Sequence, residues 1–62
     1  MTTEEIYIKN IENGIRALKL RTKTPQETQV GIFLNKLKGL NIGMYEELLE
    51  KYKKALDEYK NG

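Results

Sequence analysis

Residues 44–60 read Met-Tyr-Glu-Glu-Leu-Leu-Glu-Lys-Tyr-Lys-Lys-Ala-Leu-Asp-Glu-Tyr-Lys, and this stretch decides the fold. At 3.6 residues per turn, Met44, Tyr45, Leu48, Leu49, Tyr52, Ala55, Leu56 and Tyr59 share one face about 140° wide. Glu46, Glu47, Glu50, Lys51, Lys53, Lys54, Asp57 and Glu58 occupy the other. Acidic residues lead and basic residues follow, which suits the helix dipole. The pattern is an amphipathic helix that needs neighbours for its apolar side. Either Asn41 or Gly43 can cap its start. Asn41 would set Leu40 and Tyr45 in hydrophobic-staple register; Gly43 would put Glu46 in the capping-box position.

Upstream, Thr24-Pro25-Gln26-Glu27 has the spacing of another helix start. Thr24 can cap, Pro25 suits the first turn, and Glu27 can reach back to the cap amide. Val30, Phe33, Leu34 and Leu37 follow at i, i+3, i+4, i+7, with Ile32 outside that arc. Lys36, Lys38 and then Gly39 form a stop. Leu40 is placed to fold back on Leu34. Further upstream, Thr2 and Glu5 have capping-box spacing. Tyr7, Ile8, Ile11, Ile15 and Leu18 repeat on a face about 100° wide, and Ile6, Ala17 and Leu20 lie opposite. Gly14 interrupts this face. It marks either close approach of another helix or a break in this one.

These segments predict an all-α, compact three-helix bundle with helices over 3–20, 25–38 and 43–60, making residues 1–62 a single small helical domain. The expected core is Ile8, Ile11, Ile15, Leu18, Val30, Phe33, Leu34, Leu37, Leu48, Leu49, Tyr52 and Leu56. A 62-residue chain buries only about 60% of the surface it exposes when unfolded, so its core is marginal. It has no Cys to form a staple. It must pack very well or borrow surface from a partner.

Composition removes much chemistry. There is no His, no Cys and no Ser, which excludes imidazole acid–base catalysis, thiol and serine nucleophiles and Cys-based metal sites. No phosphate-cradling or dinucleotide-binding glycine loop is present. The sole Asp, Asp57, falls inside a helix, so a Ca²⁺ loop with alternating Asp or Asn ligands cannot be built around it. The expectation is a non-enzyme with no cofactor and no metal. The start, Met1-Thr2-Thr3-Glu4-Glu5, lacks the basic residues and apolar run of a secretory signal. No run of about 20 apolar residues is available to cross a membrane. A cytoplasmic protein that does not bind membranes is expected.

Two surfaces can carry function. Tyr45, Tyr52 and Tyr59 offer apolar rings with polar tips, suited to a half-buried interface. The leftover apolar residues Ile6, Leu20 and Ile32 form a patch if they meet in space. On this reading the chain is a protein-interaction module, an adaptor, regulator or inhibitor, binding a protein partner or assembling as a homo-oligomer. The alternative is a helix-turn-helix-like nucleic-acid binder. Lys19, Arg21 and Lys23 would contact phosphates, and Gln26 and Gln29 would read bases from the second helix. The net charge of +2 is weak support for it.

Overall fold

The computed structural model describes residues 2–61. Four helices follow in order: α1 (Thr3–Lys19), α2 (Pro25–Thr28), α3 (Val30–Lys38) and α4 (Ile42–Asn61). No strand occurs among the described residues. The three longer helices pack on one another as an all-α three-helix bundle.

The expected starts form. Thr2 Oγ1 accepts the Glu5 N–H at 3.2 Å. Thr24 and Glu27 complete a reciprocal box: Thr24 N–H donates to Glu27 Oε1 at 2.9 Å, and Glu27 N–H donates to Thr24 Oγ1 at 3.3 Å. Between Asn41 and Gly43, the cap is Asn41. Its Oδ1 accepts from Met44 N–H at 3.1 Å, and its carbonyl accepts from Tyr45 N–H at 3.0 Å. The last helix therefore begins one residue earlier than the expected 43.

Gly14 does not break α1, which is continuous from Thr3 to Lys19. The glycine is buried, and a Cβ on it would overlap Val30 Cγ2 and lie 3.1 Å from Thr28 Cβ. Gly14 is there because the chain beyond Pro25 crosses α1 at this point. Tyr7 meets Phe33 lower down, with ring centroids 5.9 Å apart. Numbers fall along α1 as they rise along α3, so the two helices run antiparallel.

The single helix expected over 25–38 is instead two, broken at Gln29. This residue takes the left-handed conformation, with φ 56° and ψ 21°. The reason lies in packing. Thr28 and Val30 are two residues apart, about 200° on a continuous helix, and would face opposite ways. Both are buried, and both abut Gly14. The left-handed step turns the chain so that both face α1. Thr28 stays satisfied there: its hydroxyl donates to the Pro25 carbonyl at 2.7 Å and accepts the Val30 N–H at 3.4 Å.

The core is Ile11, Ile15, Leu18, Val30, Leu34, Leu37, Leu48 and Ala55. Ile8, Phe33, Leu49, Tyr52 and Leu56, also expected inside, pack against it but stay half-buried. Leu40, placed by the sequence to fold back on Leu34, is exposed. A mismatch in length explains much of the partial burial. At 1.5 Å per residue, the nine residues of α3 span about 14 Å and the twenty of α4 about 30 Å. The apolar face of α4 outruns α3, and α4 also packs on the longer α1.

Candidate functional site

The α4 face contains the three tyrosines singled out from the sequence. Tyr45, Tyr52 and Tyr59 are all half-buried against the core. Two of them have a cation of the same chain over the ring. Lys38 Nζ is 5.5 Å from the Tyr45 centroid, and Arg21 Cζ is 5.2 Å from that of Tyr59. A third such contact sets Lys36 Nζ 5.7 Å from the Tyr7 centroid. Contacts of this kind are worth about 0.5–1 kcal/mol when exposed. Among the described residues no cation covers the Tyr52 ring. It sits between the half-buried aliphatic residues Leu49 and Leu56.

Sequence reasoning counted Leu49 and Leu56 as core and missed them as surface. The signal was their spacing. Ile42, Tyr45, Leu49, Tyr52, Leu56 and Tyr59 follow one another by three, four, three, four and three residues. That is the alternation of a heptad seam, a narrower stripe than the face used for a core. Leu48 and Ala55, the fully buried residues of α4, lie just outside it.

Ile6, Leu20 and Ile32 are exposed, at 44%, 66% and 55%. Ile6 and Leu20 are 14 residues apart along α1 and its cap, about 21 Å. They stand at opposite ends of the bundle, so the three do not make one patch. Ile32 lines an open groove of about 380 Å³ with Gly31, Asn35, Lys36 and Tyr45. That groove borders the α4 stripe at Tyr45.

The basic residues are dispersed. Arg21 follows the end of α1 in the left-handed conformation, φ 57°. Arg21 N–H donates to the Leu18 carbonyl and Thr22 N–H to that of Ala17, the paired bonds of a Schellman stop. Its side chain crosses to α4, where Nη2 donates to the Glu58 carbonyl at 3.2 Å. The expected phosphate contact is thus engaged as a cap on the last turn of α4. Lys23 and Gln26 are exposed, and Gln29 is the exposed pivot between α2 and α3. Lys19 lies elsewhere, in an open groove of about 230 Å³ with Glu12, Ile15, Arg16 and Lys51.

The titration of Glu27 is displaced downward. The Thr24 N–H bond holds it below the usual glutamate value, the Thr24 hydroxyl adds to this, and the Lys23 charge contributes least. Its role is capping. Among the described residues no group of three or more Asp and Glu is placed to hold a metal ion. Among the described residues no helix is long and apolar enough to cross a membrane. No family model, curated protein or solved structure matches the chain.

Proposed function

We propose that this chain is a small, non-enzymatic protein-interaction module that works through the apolar and tyrosine face of α4. One observation carries the reading: Leu49, Tyr52 and Leu56 remain half-buried on α4 although both α1 and α3 pack against that helix. A small chain gains by covering such a stripe with a second protein, since area removed from water stabilises by about 25 cal/mol per Å². Tyr52, with no cation over its ring, is the anchor of this surface. A cytoplasmic setting belongs to the same proposal.

The test is capture of partners by the tagged chain from native host lysate, in nuclease-treated and untreated halves. A stoichiometric protein that survives nuclease, and is lost with Tyr52→Lys while circular dichroism stays helical, supports the reading. If Tyr52→Lys retains the captured protein, the face is wrong. If Tyr52→Lys unfolds the chain, Tyr52→Gln is used in its place, because it truncates the ring without adding charge.

The nucleic-acid alternative keeps one favourable observation, the approach of Arg16, Lys19 and Lys51 to a single groove. Against it, Arg21 is committed to α4, Gln26 stands on a one-turn helix, and α3 returns antiparallel along α1. Phosphate binding predicts an affinity that falls steeply with salt. No duplex binding at low salt removes this alternative.

A further inference from the structure

We infer that the occupant of the α4 face is a second copy of this chain, bound antiparallel along the seam Ile42, Tyr45, Leu49, Tyr52, Leu56 and Tyr59. This rests on the interaction-module reading and names its partner. A heptad seam is complementary to another helix, and this one is complementary to itself reversed. Antiparallel pairing sets Ile42 against the partner's Tyr59, Tyr45 against the partner's Leu56, and Leu49 against the partner's Tyr52. Every layer then holds one ring and one aliphatic side chain, so the helix axes stay evenly spaced. Parallel pairing would stack ring on ring and aliphatic on aliphatic in alternate layers, leaving wide and narrow layers that two straight helices cannot both fill.

Charge selects the same arrangement. The seam is flanked on its solvent side by Glu46, Lys53 and Lys60, all exposed. On its other side stand Leu48 and Ala55, buried in the chain's own core. A parallel mate would bring its charged flank against the buried flank. A reversed mate brings the two charged flanks together. In this register the dyad lies between Glu50 and Lys51, so Glu46 comes nearest the partner's Lys53, and the converse pair forms by symmetry. Two attractions thus border the seam on that side.

Gly31 adds an independent observation. It lies in the first turn of α3, exposed, and a Cβ built on it would meet nothing within 4 Å. Its φ is not positive, so the backbone does not require glycine. Glycine costs roughly 1 kcal/mol against alanine in a helix, and nothing in the single chain accounts for it. The groove it helps line adjoins the seam at Tyr45. A second helix lying along the seam approaches α3 over this glycine.

About six seam residues per chain are few beside the roughly 20–30 per side of a standard interface, so the dimer is weak. Sedimentation equilibrium of the full chain from about 10 µM to 1 mM suits that range. The expected result is a mass that rises from one chain toward two. Glu46→Lys is expected to weaken association about fivefold, since it makes both flanking pairs repulsive. Glu46→Lys with Lys53→Glu is expected to restore it. Both positions are exposed, so the fold is not at risk. A wild-type chain that remains a single 7.2 kDa species at 1 mM overturns the dimer. In that case, lysate capture sensitive to Tyr52 still stands for the broader reading. Association that ignores both charge variants overturns the antiparallel α4 arrangement.

Discussion

Gly14 and Val30 meet more closely than a methyl group on Gly14 allows. This approach presses α3 onto α1, and a buried Val offers little room to turn aside. Gly14→Ala gains about 1 kcal/mol of helix propensity and loses roughly 1–3 kcal/mol to overpacking. A net destabilisation is expected in urea unfolding. Combined with Val30→Ala, it should cost at least about 1 kcal/mol less than the two single changes summed. Strict additivity would mean that the two residues are not in contact.

Arg21 combines an unfavourable backbone with a useful side chain. A non-glycine residue in the left-handed region costs about 1–2 kcal/mol, and this position of a Schellman stop ordinarily holds glycine. Arginine is explained by its reach to Tyr59 and to the Glu58 carbonyl in the last turn of α4. Arg21→Ala keeps the strain and loses the contacts, so a loss of about 1 kcal/mol is expected. Arg21→Gly relieves the strain and should lie closer to wild type. In both variants the amides near Tyr59 should exchange hydrogen faster. Equal stability of the Ala and Gly variants would refute the backbone half of this account.

At Gln29 the sign of one substitution tells a kink from a continuous helix. With φ at 56°, Gln29→Gly should raise stability by about 0.5–1 kcal/mol, net of the entropy glycine adds to the unfolded chain. In a continuous helix over 25–38 the same change would lower stability by about 1 kcal/mol. Gln29→Val should destabilise in the kinked form, because a β-branched residue tolerates positive φ poorly. Chemical denaturation of the two variants reads both signs.

The exposed face of Gly31 leads to a fourth expectation. Gly31→Ala meets no atom within 4 Å and should raise the stability of the single chain by up to about 1 kcal/mol. A destabilised Gly31→Ala at low micromolar concentration would mean that the position is crowded within one chain.

The sequence was most legible where a signal was complete within one turn. Thr24 to Glu27 contains both halves of its box, and Thr2 with Glu5 marks the start of α1. The kink was hidden because Val30, Phe33, Leu34 and Leu37 keep helical spacing on either reading. Only the shared burial of Thr28 and Val30 against Gly14 separates the two, and that is a tertiary fact. Arg21 was hidden for a similar reason. Its neighbours Lys19 and Lys23 suggested a basic cluster, whereas its partner lies 37 residues further on. The tyrosine face was legible as apolar. Its openness was not, since that depends on how α1 and α3 together cover α4, a tertiary fact.

The capping box gives stability a specific dependence on pH. The Thr24 N–H bond favours the charged form of Glu27, so its folded pKa lies below the unfolded value. A depressed folded pKa means that the contribution is present above the unfolded value and is lost as pH falls through the folded one. The wild type should therefore be more stable than Glu27→Gln near neutrality, with the difference shrinking below the ordinary glutamate range. Comparing the two chains at each pH cancels the other carboxylates, which titrate in both. Thr24→Ala should cost about 1 kcal/mol as a lost cap, and should move the Glu27 titration, followed by NMR, only part of the way to its ordinary value, because the residue 24 N–H is kept. Denaturation midpoints of wild type and Glu27→Gln that fall in parallel between pH values of about 6 and 3, across the carboxylate range, would show that the reciprocal bond contributes nothing to the folded state.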